Sequence, residues 1–194
     1  MKAPIFVGLT LATLGAWMLL RARAQSTSAG GAEATSKRRP SDAGRALRLK
    51  MLTTPPEEAG EKPSLEFPRI YGILMDWPID DEVATVFSAS PGAASLYTTS
   101  SFGIIGGEGH ASVRDAARAF VRAADPFYSE SVSTSQYPYP GTGRVRFYFL
   151  TFEGVRVCET DLLSIENGTS VYSELFELGQ AVLTQLRLVT EQHP

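Results

Sequence analysis

One stretch of the chain has residue types that could do chemistry, FGIIGGEGHASVRDAARAF at residues 102–120. Within it His110 could serve as a general base, with Glu108 or Ser112 beside it. Residues this close on one loop rarely converge on a single reacting atom, and a nucleophile needs an orienting base from elsewhere in the fold. The second histidine, His193, lies next to the C-terminus and suits that role poorly. The sequence therefore offers His110 and Glu108 as catalytic candidates but favours a structural loop, because glycine permits sharp turns.

The same loop lacks the features of phosphate-binding loops. A P-loop requires a lysine after its last glycine, and this loop has none. The dinucleotide fingerprint fails as well, because Ser112 stands where the third glycine is needed after Gly107 and Gly109. Glu108 would also place negative charge beside a phosphate. We therefore expect no nucleotide cofactor.

Metal binding is also disfavoured by the residue types. Four acidic residues lie close together, Asp76, Asp80, Asp81 and Glu82. Their oxygens could bind calcium, but the spacing fits no EF-hand loop and a solvated acidic turn is favoured. The single cysteine, Cys158, excludes an intrachain disulfide and a cysteine-based zinc site. No cation neighbours it in sequence, so it is predicted to be an inert buried thiol. We expect no metal and no cofactor.

Charge is distributed unevenly along the chain. Residues 21–50 contain eight basic and two acidic side chains, whereas residues 51–194 contain nine basic and nineteen acidic ones. The larger part therefore has a net charge of −10, which argues against a nucleic-acid partner because phosphate binding needs a concentrated positive surface.

The N-terminus contains an apolar run without charge, PIFVGLTLATLGAWMLL at residues 4–20. As a helix it would be roughly 26 Å long, at the short end for crossing a bilayer. The basic side chains follow it: Arg21, Arg23, Lys37, Arg38, Arg39, Arg45, Arg48 and Lys50. Because such charges stay on the cytoplasmic side, a single-pass anchor in membrane lipid would leave the C-terminal part cytoplasmic. The alternative is a signal peptide cleaved near Ala24, after ARA, which would make the mature protein periplasmic or secreted.

Three segments follow from these patterns: a hydrophobic anchor or signal at 1–24, a flexible basic linker at 25–66, and a globular α+β domain at 67–194. The linker contains few bulky apolar residues and cannot bury enough surface to offset its ordering entropy. Residues 41–52 have weak helical signals within it, and we favour a solvated, partly helical linker there.

The globular segment shows strand and helix patterns in the order β-β-β-α-β-β-α. The strands are predicted at 67–77, 83–90, 93–101, 144–152 and 155–161, and the helices at 112–125 and 170–189. Because no strand-helix-strand repeat runs through the chain, we expect a two-layer α+β sandwich. Its mainly antiparallel five-stranded sheet would carry both helices on one face. This order is similar to the core of small secretion-chaperone-like domains, a resemblance that implies two layers and frequent dimers.

The hairpin formed by the last two strands suggests an interaction surface. If Glu153 and Gly154 form the whole turn, Phe149 faces Cys158 and Arg146 faces Asp161; a three-residue turn would exchange the two faces. We favour the first register because it leaves the charges outside. An apolar part of the outer face remains in either case, at Leu150, Phe152, Val155 and Val157.

These observations favour a membrane-tethered, non-catalytic interaction or assembly subunit that docks on a protein partner or forms a homodimer. Such a large apolar surface in water is typical of a docking site. The alternatives are an exported small-ligand-binding domain and a hydrolase-like enzyme that uses His110.

Overall fold

The computed structural model describes residues 40–100 and 103–192. The predicted anchor at 1–24 lies outside the described residues. The same holds for five of the basic residues that follow the apolar run: Arg21, Arg23, Lys37, Arg38 and Arg39. None of the helices in the described part is both long and apolar enough to cross a membrane.

The described residues form four α-helices and seven strands. The helices are α1 (Pro40–Thr53), α2 (Ala111–Ala123), α3 (Leu162–Glu166) and α4 (Ser173–Gln192). The strands are β1 (Ile70–Ile79), β2 (Glu82–Ala89), β3 (Ala94–Thr98), β4 (Gly103–Ile105), β5 (Val132–Ser133), β6 (Arg144–Thr151) and β7 (Gly154–Asp161).

The strands form one antiparallel sheet in the order β4-β3-β2-β1-β6-β7-β5. The antiparallel arrangement agrees with the sequence interpretation, but the prediction of five strands was wrong. The two additional strands are the edges of the sheet, and they have only three residues (β4) and two residues (β5). Segments this short carry too few residues to show a period-two pattern.

The prediction of a two-layer sandwich was also wrong, although the two predicted helices do lie on the same face. Helices α2 and α4 cover one face, where they enclose the main core with Met75, Val86 and Phe147. Helix α1 covers the opposite face, where Leu52 packs with Tyr71, Leu74, Tyr148 and Leu150. The sheet is therefore the middle layer of three.

Helix α1 is part of the packed structure and not a solvated segment. Its inward positions recur at helical spacing, at Gly44, Arg48 and Leu52, and Arg48 is 4% exposed. At Gly44 a Cβ atom would lie 2.9 Å from the Thr98 carbonyl oxygen, so glycine lets the helix approach β3 closely. The sequence Pro55-Pro56 follows the helix and prevents its continuation.

Helices α2 and α4 dock through apolar stripes. Helix α2 buries Val113, Ala117, Phe120 and Val121, as its spacing predicted. It begins at Ala111 with His110 as N-cap and no side-chain cap. In α4 the buried positions are Leu175, Val182 and Leu186, whereas Val171 precedes the helix and is exposed.

The β6–β7 hairpin has a register two positions from the preferred one. Phe147 faces Cys158 and Arg146 faces Glu159, because Phe152 and Glu153 form the turn between Thr151 and Gly154. The Thr151 hydroxyl accepts a hydrogen bond from the Glu153 amide and donates one to the Gly154 carbonyl. A shift of two keeps each side chain on its predicted face.

Candidate functional site: the free edge of strand β7

Strand β7 is paired along its whole length on one side and along a quarter of it on the other. All eight of its residues pair with β6. On the outer side β5 supplies two pairs, Val132 with Val157 and Ser133 with Arg156. Within residues 40–100 and 103–192, no strand continues this pairing from Cys158 to Asp161.

The direction of the main-chain groups on β7 follows from the pairs it makes. The Thr134 amide donates to the Val155 carbonyl at 2.9 Å, so Val155 faces the β5 side. In an antiparallel ladder alternate residues face the same neighbour. The amide and carbonyl of Glu159 therefore point out of the sheet at the free edge, available to an added strand.

A groove of about 490 Å³ lies along this edge. Its lining includes Tyr172 and Cys158, which belong to the face covered by α2 and α4, and Tyr148 and Val157, which belong to the face covered by α1. The groove therefore spans the thickness of the sheet. Val132 of β5, which is 66% exposed, forms part of its wall.

Short β5 is held in place by Arg156. This guanidinium donates hydrogen bonds to the Tyr128 carbonyl at 3.0 Å and to the hydroxyls of Ser131 and Ser133 at 3.0 and 3.1 Å. The Arg156 side chain therefore fixes where β5 ends and where the groove begins.

The charges at the groove are unevenly balanced. Glu159 is bound by two cations, with Arg144 Nε at 3.0 Å and Arg146 Nε at 2.8 Å. Arg146 also donates to the Pro138 carbonyl at 2.8 Å, which the Tyr148 hydroxyl contacts at 2.6 Å. Glu130 is exposed at the groove, and no cation of the described part forms an ion pair with it.

The thiol that lines the groove is protonated at neutral pH. Burial raises the pKa of Cys158 to about 12, with a smaller contribution from the negative charge of Glu130 and an opposing one from a hydrogen bond to Tyr172. Burial also raises the pKa of the Tyr172 hydroxyl, and the interaction with Cys158 makes the second-largest contribution to that rise. The thiolate is the nucleophilic form of cysteine, and burial disfavours it here. The predicted burial of Cys158 is confirmed, and its inertness stays a prediction.

The glycine loop before α2 has a structural explanation. Gly106 and Gly107 have positive φ angles of 104° and 105°. A Cβ atom on Gly107 would lie 2.8 Å from Val113 Cγ1, so the loop turns tightly against the core. The Glu108 main-chain carbonyl accepts a hydrogen bond from Arg114, and His110 is half-buried as the N-cap of α2. The catalytic hypothesis for His110 and Glu108 stays a prediction.

The apolar surface proposed from sequence lies beside α1. Leu150 is 3% exposed and packs in the cluster of Leu52 and Tyr71. Phe152 is half-buried, with its ring 5.3 Å from that of Tyr71. Val155 and Val157 are half-buried, and Val157 reaches the groove. Whether these residues contact a partner stays a prediction.

The basic residues of α1 have different environments. Arg45 and Lys50 are exposed, whereas Arg48 is buried against Asp76 of β1. Arg48 Nε lies 3.2 and 3.0 Å from the two Asp76 oxygens, and its guanidinium carbon is 4.2 Å from the centre of the Tyr139 ring. Burial raises the pKa of Asp76, and the contacts with Arg48 and Thr85 oppose that rise. Both Asp76 oxygens accept hydrogen bonds, which is the arrangement expected of an ionised carboxylate.

The acidic residues in and after β1 lie in different environments. Asp76 is fully buried, while Asp80 lies in the turn after β1 with a positive φ of 51°. Across the part of the chain that the structure describes, no group of three or more His, Cys, Asp or Glu side chains is arranged to hold a metal.

The β7 edge and the burial of Arg48 were not visible in the sequence. Residues 127–143 are polar and lack periodicity, so neither β5 nor the groove it borders has a clear signal there. A charged side chain on a linker segment predicts exposure to solvent. No local sequence pattern shows that Arg48 pairs with Asp76, which is 28 residues away.

Comparisons with known proteins supply no relative for this fold and groove. The chain matches no protein-family model, no curated protein and no solved structure.

Proposed function

We propose that this protein is a non-catalytic interaction subunit, tethered to a membrane by its apolar run at 4–20, that receives an extended segment of a protein partner along the free edge of β7. The observation that carries the proposal is the groove beside the outward main-chain groups of Glu159. An extended peptide can add to such an edge through main-chain hydrogen bonds, while the groove accommodates its alternate side chains.

The edge strands support a binding role for this part of the sheet. Natural sheets protect their edges with short strands, charges or covering loops. Here β5 covers Arg156 and Val157 and leaves the following residues of β7 uncovered beside the groove. This gap could accommodate another chain.

The side chains at the groove support a non-catalytic role. The Cys158 thiol has a pKa of about 12, and Glu159 is committed to Arg144 and Arg146. A groove whose thiol is protonated and whose Glu159 is ion-paired is better suited to hold a peptide than to transfer a proton.

The membrane topology follows from the sequence and is part of the proposal. The basic residues after residue 20 favour a cytoplasmic domain. The small-x-small sequence ending at Ala24 favours the alternative, an exported domain with a cleaved signal. Mass spectrometry of the native N-terminus separates the two, because a chain that begins at Gln25 would contradict the anchor.

Strand addition can be tested with the full-length chain in mild detergent. The probe is a neutral eight-residue peptide, Thr-Val-Gln-Val-Thr-Val-Gln-Val, and the readout is amide hydrogen exchange. We expect the Glu159 amide to exchange quickly in the free protein and to become protected when the peptide is added. The Cys158 amide, which faces β6, should be protected in both states.

A peptide of the same sequence with an N-methyl group on every residue is the matched control, because neither of its edges can donate main-chain hydrogen bonds. The expected affinity is weak, roughly millimolar to high micromolar, since only a few main-chain hydrogen bonds form. Protection by both peptides, or by neither, would contradict docking at this edge.

A further inference from the structure

The charge at the groove indicates what kind of segment it accepts. Of the charged side chains in its lining, Arg146 and Glu159 neutralise each other. Arg144, outside the lining, also pairs with Glu159 and with Asp161. Glu130 is the remaining carboxylate of the lining, and it faces solvent without an ion-pair partner in the described part of the chain. The groove therefore has an excess of negative charge.

The register places Glu130 next to the free main-chain groups. Val132 pairs with Val157, and Glu130, two residues earlier in the chain, lines the groove together with Glu159. The chain does not continue the strand there, because the Ser131 amide turns inward to the Phe127 carbonyl. An added strand that pairs with Glu159 would point the side chain of an adjacent residue to the face of Cys158 and Tyr172, the two groups on which the charge of Glu130 acts.

The surface leading to Glu130 suits a long cationic side chain. Cys158 and Tyr172 line the same part of the groove, and the charge of Glu130 contributes to the raised pKa of both. The methylene groups of a lysine or arginine could cover the tyrosine while the charged head reaches the carboxylate. The net charge of −10 on residues 51–194 would also attract a basic segment.

We infer that the partner segment is an extended basic peptide with a lysine or arginine at the strand position beside Glu130. This inference rests on the proposed docking of a peptide at β7. A second copy of this chain is disfavoured, because two β7 edges brought together antiparallel would bring the unpaired Glu130 carboxylates of both copies to the same groove.

The experiment measures the affinity of the full-length chain for three fluorescent peptides by anisotropy. They are the neutral peptide above and two versions in which lysine or glutamate replaces both glutamines. We expect the lysine peptide to bind roughly three- to five-fold more tightly than the neutral one, and the glutamate peptide more weakly, as for a partly exposed ion pair. The preference should disappear in Glu130→Gln and persist in Glu166→Gln, whose exposed carboxylate lies outside the groove.

The outcomes separate this inference from the function on which it rests. Equal binding of all three peptides would overturn the basic specificity and leave strand addition standing, whereas no binding of any peptide would overturn both. The chain's own Lys37, Arg38 and Arg39 are tested by replacing all three with glutamine. If peptide binding then strengthens, or if the wild-type chain sediments as a dimer that peptides dissociate, the occupant is internal or a second copy and the inference is wrong.

Discussion

Replacing Arg48 tests whether α1 is an integral part of the folded domain. The Arg48→Met variant keeps most of the side-chain volume but removes the guanidinium that contacts Asp76, the Tyr137 carbonyl and the Tyr139 ring. Asp76 is fully buried and would keep the Thr85 hydroxyl as its hydrogen-bond partner. Removing one partner of a buried ion pair costs about 3–5 kcal/mol. Since domains of this size have about 5–15 kcal/mol of stability, the loss would be a large fraction of the total.

The measurement is urea denaturation of the full-length chain in mild detergent. Trp77 is buried on β1 beside Asp76 and reports directly on this region. The chain has a second tryptophan, so a Trp17→Phe background makes the fluorescence specific. The matched control is Arg45→Met, which changes the same residue type on the exposed side of the same helix and should cost less than about 1 kcal/mol.

A double variant separates the ion pair from its burial cost. In Arg48→Met with Asp76→Leu the uncompensated charge is gone, and apolar replacements of buried ion pairs are often neutral. We expect the double variant to recover at least about 2 kcal/mol of the loss of Arg48→Met. If Arg48→Met is as mild as Arg45→Met, or if the double variant recovers nothing, the reasoning about α1 is wrong.

Two further predictions concern packing and pH. Gly107→Ala should destabilise the protein by about 2–3 kcal/mol in thermal unfolding, because its φ is positive and the new methyl would meet Val113, whereas Gly109→Ala, which has open space, should be nearly neutral. The pKa of Cys158 is raised to about 12 in the folded state from an ordinary value of 9.0, so its contribution to stability is intact below pH 9 and is lost as the pH rises towards 12. The free energy of unfolding, measured by urea denaturation, should therefore fall between pH 9 and 11, by up to about 1.4 kcal/mol per pH unit from this thiol. It should fall less steeply in Cys158→Ala. Equal pH slopes of the two proteins would contradict the assignment.

The parts of the fold predicted correctly are those with long, regular patterns. Helix α2 shows Val113, Ala117, Phe120 and Val121 on one side, and the strands β6 and β7 are long segments rich in β-branched and aromatic residues. In both cases the apolar residues that a single stretch of sequence displays are the residues that the core buries.

The parts that were missed depend on partners far away in sequence. Considered alone, Arg48 is expected to be exposed to solvent. Its burial depends on Asp76 of β1 and on Tyr139 of a later loop. The hairpin register depends on hydrogen bonds of the Thr151 hydroxyl, which outweigh the turn preference of Gly154. The groove was missed for the same reason, since its walls come from four separate segments of the chain.

The short strands at both margins of the sheet have a consequence for the protein in concentrated solution. With three residues at one margin and two at the other, neither outermost strand can template a long intermolecular ladder, and fibril growth lacks a starting surface. The single gap beside β5 is too narrow to propagate a stack of many copies. We therefore expect the protein to resist fibril formation in concentrated solution.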